Sequence, residues 1–475
     1  MTFMHYFGAL LVLILIVMVG MFSGRQVKSA KDFSDGGRKA SSGMVMGALI
    51  GTLVGGASTI GTAQLAFTSG FSAWWFTLGG GIGVLLLGVV FSKSLYESGI
   101  STMPQILTRE YGRESATLAA LLNSLGSFLS IVSQILSGVA LITAVSAAIS
   151  PTAATIITIL LMLAYVVFGG ALGAGYVGIA KTVIMYLSVG ICGFVAVKLM
   201  GGIGTFLSSP LLPKEQYFNL VGRGASIDLG AGLSLVLGVL TTQAYIQAVI
   251  SAKSLKISRK GIYLSAFLIP LIGIAGIFVG MYMKLNYPDI QSKLALPLFI
   301  LEKMPPLVAG IMLATLLVAL VGTGAGVGLD ISSVFYNDLL KVYSKKKRSD
   351  KEALAMTRGI LIMVLLLSAL VSMGDMGGFI LSWSFMSMGL RGAVAFGPMV
   401  AGIFFPGRIH RYYAITAIIM GPVITLFGKF VLPPTFDPLF LGVLVSILIL
   451  VAGYFARRSG LEKDSGKEEK LSNLI

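Results

Sequence analysis

Charge is scarce in this sequence. Only 11% of its 475 residues are Asp, Glu, Lys or Arg, against roughly a quarter in soluble domains. With 56% hydrophobic residues and a mean hydropathy of +0.92, that shortage excludes a water-soluble globule and points to an integral membrane protein. Cysteine occurs once, at Cys192, which excludes an internal disulfide framework and a thiolate metal cluster. The two histidines, His5 and His410, sit near chain or helix ends, so a histidine metal site is not expected. No HExxH, no GxSxG with partners and no Walker-type phosphate loop occurs, so no enzyme constellation is present. Glycine is abundant instead, at 60 residues. The glycines fall inside apolar runs, where small residues let helices pack closely; "GGGIG" at 79–83 is read as a packing face, not a nucleotide loop.

A helix crosses the hydrocarbon core with about 20 apolar residues. Thirteen runs qualify, near 4–22, 43–68, 71–92, 115–146, 152–170, 173–201, 229–252, 260–285, 306–340, 355–374, 376–404, 412–432 and 437–456. The first has no basic leader or clear cleavage site and reads as a retained span, not a signal peptide. Lys and Arg collect in alternate connections, 23–42, 93–114, 253–259, 341–354, 405–411 and 457–475. The positive-inside rule then sets the N-terminus outside and the C-terminus in the cytoplasm of a cell whose plasma membrane holds the protein. The net charge of +16 is thus an orientation signal and a lipid contact, and nucleic acid is not an expected partner. Trp74 and Trp75 open the third span as aromatic interface anchors. The tail 457–475 reads as a solvated cytoplasmic end.

Polar groups inside spans are expensive and mark function. Lys181, Asp330 and Arg391 stand in spans, as does the adjacent pair Ser332 and Ser333. The run "LVGGASTIGTAQLAF" at 53–67 combines Gly55, Gly56 and Gly61 with Ser58, Thr59, Thr62 and Gln64, the composition of a broken helix. Counted at 1.5 Å per residue from the helix ends, Lys181, Ser332 and the 57–61 break fall at similar depths. Freed carbonyls of Ala57 and Ile60 with the two serine hydroxyls would suit a small hard cation; alternatively the serines bond back to their own helix. Arg391 is a candidate for binding a substrate carboxylate, for a gate, or for pairing with an acid.

The spans divide into halves. Core helices 1–5 (43–201) and 6–10 (229–404) run in opposite senses, and each set opens on an interruption. The second is "LVLGVLTTQAYIQ", with Gly238, Thr241, Thr242 and Gln243 at mid-span. Inverted repeats opened by discontinuous helices are a transporter architecture.

Several stretches resemble the sodium/solute symporter family, in order along 1–456: "SAKDFSDGGRKASSG", "GGASTIGTAQ", "ISTMPQILTREYG", "QAYIQAVISAKSLKISRKG" and "ISSVFYNDLLK". The resemblance implies an all-α membrane protein with about thirteen transmembrane helices and a LeuT-type 5+5 inverted repeat, discontinuous in helices 1 and 6. It implies an extra helix and loop at 1–42, the repeats at 43–201 and 202–404 (the latter with its preceding loop), two more helices at 405–456, and a tail. It implies a secondary transporter, not an enzyme, that couples Na+ to a small organic solute, with a monomer as the expected state. By position, Na+ would be held by the carbonyls of Ala57, Ile60 and Leu329 and the hydroxyls of Ser332 and Ser333. Gln64, Thr59, Thr242 and Gln243 match substrate-facing positions, with Arg391 added from its own chemistry. The sequence also departs from the family. Thr59 stands where many members have Asp or Asn, and Ala248 where Arg usually follows Gln247. Lys181 stands about where many carry Asp. Its ammonium would repel Na+ and supply the charge itself, making coupling proton-linked or absent; alternatively it pairs with Asp330 and leaves Na+ binding intact. A transporter-like sensor is the remaining alternative, and the short tail offers it no signalling domain.

Overall fold

A computed structural model describes residues 1–24, 38–97, 103–169, 174–340 and 350–458. The charged loop 25–37, the tail and parts of three other connections fall outside them. Among the described residues nine helices are long and apolar enough to cross a membrane, or ten if one bent pair counts as a span; shorter apolar helices lie at Phe3–Leu15, Ser42–Leu53 and Pro151–Val166.

The helices that position the site are α1 (Phe3–Gly24), α2 (Ser42–Leu53), α3 (Thr62–Ser69), α4 (Trp75–Leu86), α5 (Met103–Tyr111), α6 (Arg113–Val145), α7 (Pro151–Gly169) and α8 (Ala174–Leu199). They continue as α9 (Ala225–Thr241), α10 (Gln243–Ile250), α11 (Leu255–Asn286), α12 (Pro306–Val334), α13 (Asp350–Gly374), α14 (Ile380–Phe404), α15 (Arg411–Val431) and α16 (Leu439–Arg458). Side-chain caps fix some starts: Ser41 accepts from the Met44 amide of α2, and Ser254 from the Ile257 amide of α11. Such caps satisfy amides that the first turn leaves open.

Two bodies form around the interruptions. The α2–α3 line, α4, α9–α10 and α11 pack on one another, while α6, α7, α12 and α13 make a second group. Flanking both, α8 lies on α2 and α11, and α14 lies on α6 and α9. Gly8 of α1 and Gly310 of α12 bring those two helices into backbone contact, Gly8 facing the Leu307 carbonyl and Gly310 the His5 carbonyl. The tryptophans open α4 as expected, and their indoles are also tied inward. Trp74 Nε1 donates to Pro270 O at 2.9 Å and Trp75 Nε1 to Leu220 O at 2.7 Å.

The first interruption is narrow. α2 stops at Leu53, Val54 is extended (φ −86°, ψ 98°), and a π-turn at Ala57–Gly61 leads into α3. Single π-turns within helices recur at functional sites. Gly56 and Gly61 keep right-handed helical φ. Their role is therefore closeness and not left-handed backbone. A Cβ on Gly55 would stand 3.1 Å from both Gln134 Oε1 and Thr323 Oγ1, and one on Gly56 would collide with Ser137. The second interruption bends α9 against α10 by 52°, at Thr242 with φ −81° and ψ 126°.

Candidate ion and solute site

Every residue from Leu53 to Phe67 is buried. Backbone groups freed at that depth need partners, and local hydroxyls supply most of them. Gly55 N donates to Ser58 Oγ at 3.0 Å, and the same hydroxyl donates back to Gly55 O at 3.0 Å. Thr59 Oγ1 also donates to Gly55 O, at 2.8 Å. Gly56 N reaches across to Gln134 Oε1 of α6 at 3.0 Å. Sequence reasoning missed Gln134, although a lone amide in "SIVSQILSG" was the available signal.

Lys181 of α8 comes to this same place. Its Nζ donates to Gly51 O at 3.1 Å and to Thr323 Oγ1 at 3.0 Å, and the residue is 9% exposed. Gly51 lies in the last turn of α2, where carbonyls lack helical partners and the dipole is negative. The ammonium therefore caps a half-helix and bridges it to α12. Thr323, in turn, donates to Ala319 O at 2.9 Å. This hydroxyl, also missed from sequence, is the one that α12 presents to the break.

The expected serine ligands are not brought there. Ser332 lies nine residues past Thr323, about 13 Å further along α12 and away from Ala57 and Ile60. Its hydroxyl donates to Gly328 O of its own helix at 2.7 Å, the back-bonding arrangement. Leu329 and Ser333 lie six and ten residues past Thr323, about 9 and 15 Å along the same helix. Ala57 and Ile60 do sit in the π-turn, both buried, but the adjoining Gly61 packs on Ile380 and Leu381 of α14. Thr62 Oγ1 donates to Ala57 O at 3.5 Å.

Asp330 does not pair with Lys181. The ion pairs among the described residues are Arg109–Glu110, Arg223–Asp228 and Lys303–Glu302. Asp330 lies seven residues past Thr323, the α12 partner of Lys181.

The substrate-facing candidates divide. Gln64 is engaged at both ends by the start of α14: Nε2 donates to Gly378 O at 3.2 Å, and Oε1 accepts from Ile380 N at 2.9 Å. Thr59 is tied to Gly55, as above. Thr242 and Arg391 come together, with Arg391 NH1 donating to Thr242 Oγ1 at 3.1 Å. Gln243 Oε1 accepts from Met103 N of α5 at 2.8 Å, which joins α10 to the connection before α6. The site is thus two polar breaks, one crossed by an ammonium and the other by a guanidinium.

A family model described as "SSF: Sodium:solute symporter family" matches residues 33–421. The chain belongs to the sodium:solute symporter family. Among its relatives, sodium/myo-inositol cotransporter 2 of Oryctolagus cuniculus is 26% identical over 400 residues, 75% of this chain and 59% of that protein. High-affinity choline transporter 1 of Caenorhabditis elegans is 22% identical over 459 residues, 87% of this chain and 76% of that one. This symporter-family chain thus spans about three fifths of the inositol cotransporter's length. A solved Na+-coupled sialic acid symporter, in a substrate-bound outward-open state, superposes with a TM-score of 0.76 at 19% identity, covering 96% of this chain and 98% of that one. The fold is therefore the LeuT-type inverted repeat, with α2–α3 and α9–α10 as its discontinuous helices. Family and relatives are transporters and not enzymes.

Proposed function

We propose that this protein is a secondary active transporter that moves a small organic solute across the plasma membrane by alternating access, coupled to Na+. One observation carries the reading: two interrupted helices meet the rest of the bundle through buried polar side chains, Lys181, Gln134 and Arg391. Membership of the symporter family supports Na+ as the coupling ion. The N-terminus faces outside and the tail the cytoplasm, as the basic loops favour. Residues 43–201 and 202–404 form the two repeats, flanked by 1–42 and 405–456, in a chain that works as a monomer. Binding of ion and solute shifts the balance between two states only through unequal affinity for them. The test is solute uptake by proteoliposomes under an imposed Na+ gradient. Uptake that follows the gradient supports the reading, and uptake indifferent to it removes Na+ coupling.

Lys181 favours a second reading. Its ammonium already holds the half-helix end and the α12 hydroxyl, contacts a cation between those helices would take. In that reading the break needs no Na+, and transport is proton-linked or uncoupled. Uptake driven by a pH gradient in Na+-free buffer distinguishes the two.

A further inference from the structure

The α4 line runs on through a π-turn at Leu87–Phe91 into a short last helix, Ser92–Glu97. It packs antiparallel to α11. Gly81 lies on Ala266 and Pro270, and Gly88 on Ile262 and Tyr263. At the far end of this seam Arg259 Nε donates to Ser92 Oγ at 3.0 Å. A Cβ on Gly88 would stand 2.7 Å from Ile262 Cγ2 and 3.1 Å from Tyr263 Cε1, so the floor of the seam is closed.

Beside the seam each helix carries an exposed stripe. On the α4 line it is Ile82, Leu85, Val89 and Lys93; on α11 it is Lys256, Lys260, Tyr263, Phe267 and Leu271. At 3.6 residues per turn each stripe sits about a quarter-turn past its own contact residues. Between antiparallel helices, equal rotations in the chain direction fall on the same side, so the stripes flank one shallow groove. Phe267 is 68% exposed and Val89 57%. Lys93 to Ile82 and Lys260 to Leu271 each span eleven residues, about 16 Å, which is half of a hydrocarbon core of about 30 Å. All the charge is at one end. The Arg259–Ser92 bond brings Lys93 and Lys260 alongside each other, with Lys256 a turn beyond. Among the described residues none of these four cations forms an ion pair. The acid next along the chain is Glu97, a turn past Lys93. An orientation signal needs positive charge only on one side of the membrane. It does not require that charge at the head of a shared apolar groove.

We propose that this groove binds an anionic phospholipid, its headgroup held by Lys93, Lys256, Arg259 and Lys260 and an acyl chain lying along Val89 and Phe267. The leaflet is the cytoplasmic one in the orientation given above. Basic sites between spans take anionic headgroups in this way. A phosphatidylcholine headgroup brings its own cation to the lysines and is disfavoured. The site is separate from both breaks and does not depend on what is transported.

The experiment titrates purified full-length protein in detergent with dioleoylphosphatidylglycerol, dioleoylphosphatidylcholine or glycerol 3-phosphate. Bound lipid is counted by native mass spectrometry, and the melting temperature is followed in parallel, since binding to the folded state raises it. Phosphatidylglycerol is expected to bind and to raise the melting temperature, phosphatidylcholine to bind at least tenfold more weakly, and glycerol 3-phosphate not to bind. Each lysine near the surface is worth about fivefold. The triple variant Lys93→Gln, Lys256→Gln, Lys260→Gln should therefore lose tenfold or more in affinity. Lys198→Gln with Lys214→Gln, exposed lysines beyond the opposite ends of the spans, should stay within twofold of wild type. Phe267→Ala should weaken binding severalfold with the charge unchanged, and Glu97→Gln should tighten it. Equal affinity for the two lipids, a triple variant that binds as wild type or no more weakly than the Lys198 and Lys214 control, or equal binding of glycerol 3-phosphate overturns the proposal. So does a dimer mass that persists in excess phosphatidylglycerol with no lipid bound, since a second copy would then cover the groove.

Discussion

Replacing Lys181 by Met removes a charge from the first break while keeping most of the side-chain length. The wild-type Nζ stands 3.1 Å from Gly51 O and 3.0 Å from Thr323 Oγ1. A sodium ion using the same oxygens would lie within about 4 Å of that ammonium. At an effective dielectric of about 20 the repulsion is about 4 kcal/mol, a roughly thousandfold penalty on affinity. Lys181→Met is therefore expected to tighten Na+ binding at the break by about two to three orders of magnitude. Stability moves less, by about 2 kcal/mol in either direction, because two charge-assisted hydrogen bonds are lost as the desolvation of a buried charge is relieved. The assay is a Na+ titration of the melting temperature, with N-methyl-D-glucamine chloride holding ionic strength constant. Adding Thr323→Ala should erase much of the gain, since it removes an oxygen donor to the ion. An unchanged Na+ midpoint in Lys181→Met would refute the reasoning that ammonium and sodium compete for one place.

Three further outcomes follow from the same geometry. Ser332→Ala with Ser333→Ala should leave the Na+ midpoint of the protein within twofold of wild type, because Ser332 bonds to its own helix at Gly328 O; a tenfold loss in that titration would return the serines to the ion site. Gly55→Ala places a Cβ 3.1 Å from two polar atoms and should lower stability by about 1–3 kcal/mol through overpacking, read as a lower melting temperature; no change would mean that α6 and α12 yield at the break. Gln64→Leu removes both amide contacts to the start of α14. At about 1 kcal/mol each, maleimide labelling of an introduced Thr59→Cys should speed up by roughly thirtyfold, and an unaltered rate would show that Gln64 does not hold that side shut.

Span positions and both interruptions were legible because run length, glycine and mid-span hydroxyls act locally. So was the family, through motifs carried in order. The register of α12 against the break was not. Depth was counted inward from a helix end taken as the membrane face. Yet α12 has 29 residues, about 43 Å at 1.5 Å per residue, against a core of about 30 Å. A helix that overshoots by about 13 Å misplaces its polar residues by as much, which is the gap between Ser332 and Thr323. An adjacent serine pair also looks more like a ligand set than a single threonine among glycines. Neither cue reports where two helices cross, since that is fixed by packing far away in sequence. The charge pairing failed for the same reason: Lys181, on α8, meets α12 at Thr323, seven residues and about 10 Å before Asp330.

The breaks are gripped from several sides, and this constrains how the protein can move. Six of the hydrogen bonds described here join the α2–α3 and α9–α10 lines to other elements: Gly56 to Gln134, Gly51 to Lys181, two from Gln64 to the start of α14, Thr242 to Arg391, and Gln243 to Met103. Four are neutral and two involve a cation. Broken together and unreplaced they would cost on the order of 5–10 kcal/mol. Carrying a two-state equilibrium from 1:99 to 99:1 takes only about 5.5 kcal/mol. A bundle held by all six could therefore scarcely reach its other state unaided, and a ligand would have to meet the whole cost. Alternating access is feasible only if the contacts exchange in groups. Those at Gln64 and those at Thr242 and Gln243, all made in this structure, would yield in turn, with ion and solute taking over the oxygens and charges released at each step. On this account the cations at the two breaks are not fixed struts. Each is a place-holder whose contacts a ligand must be able to inherit, and this is why Lys181 and Arg391 are the positions where a change of charge should alter which ligands bind, and not only how firmly the fold holds.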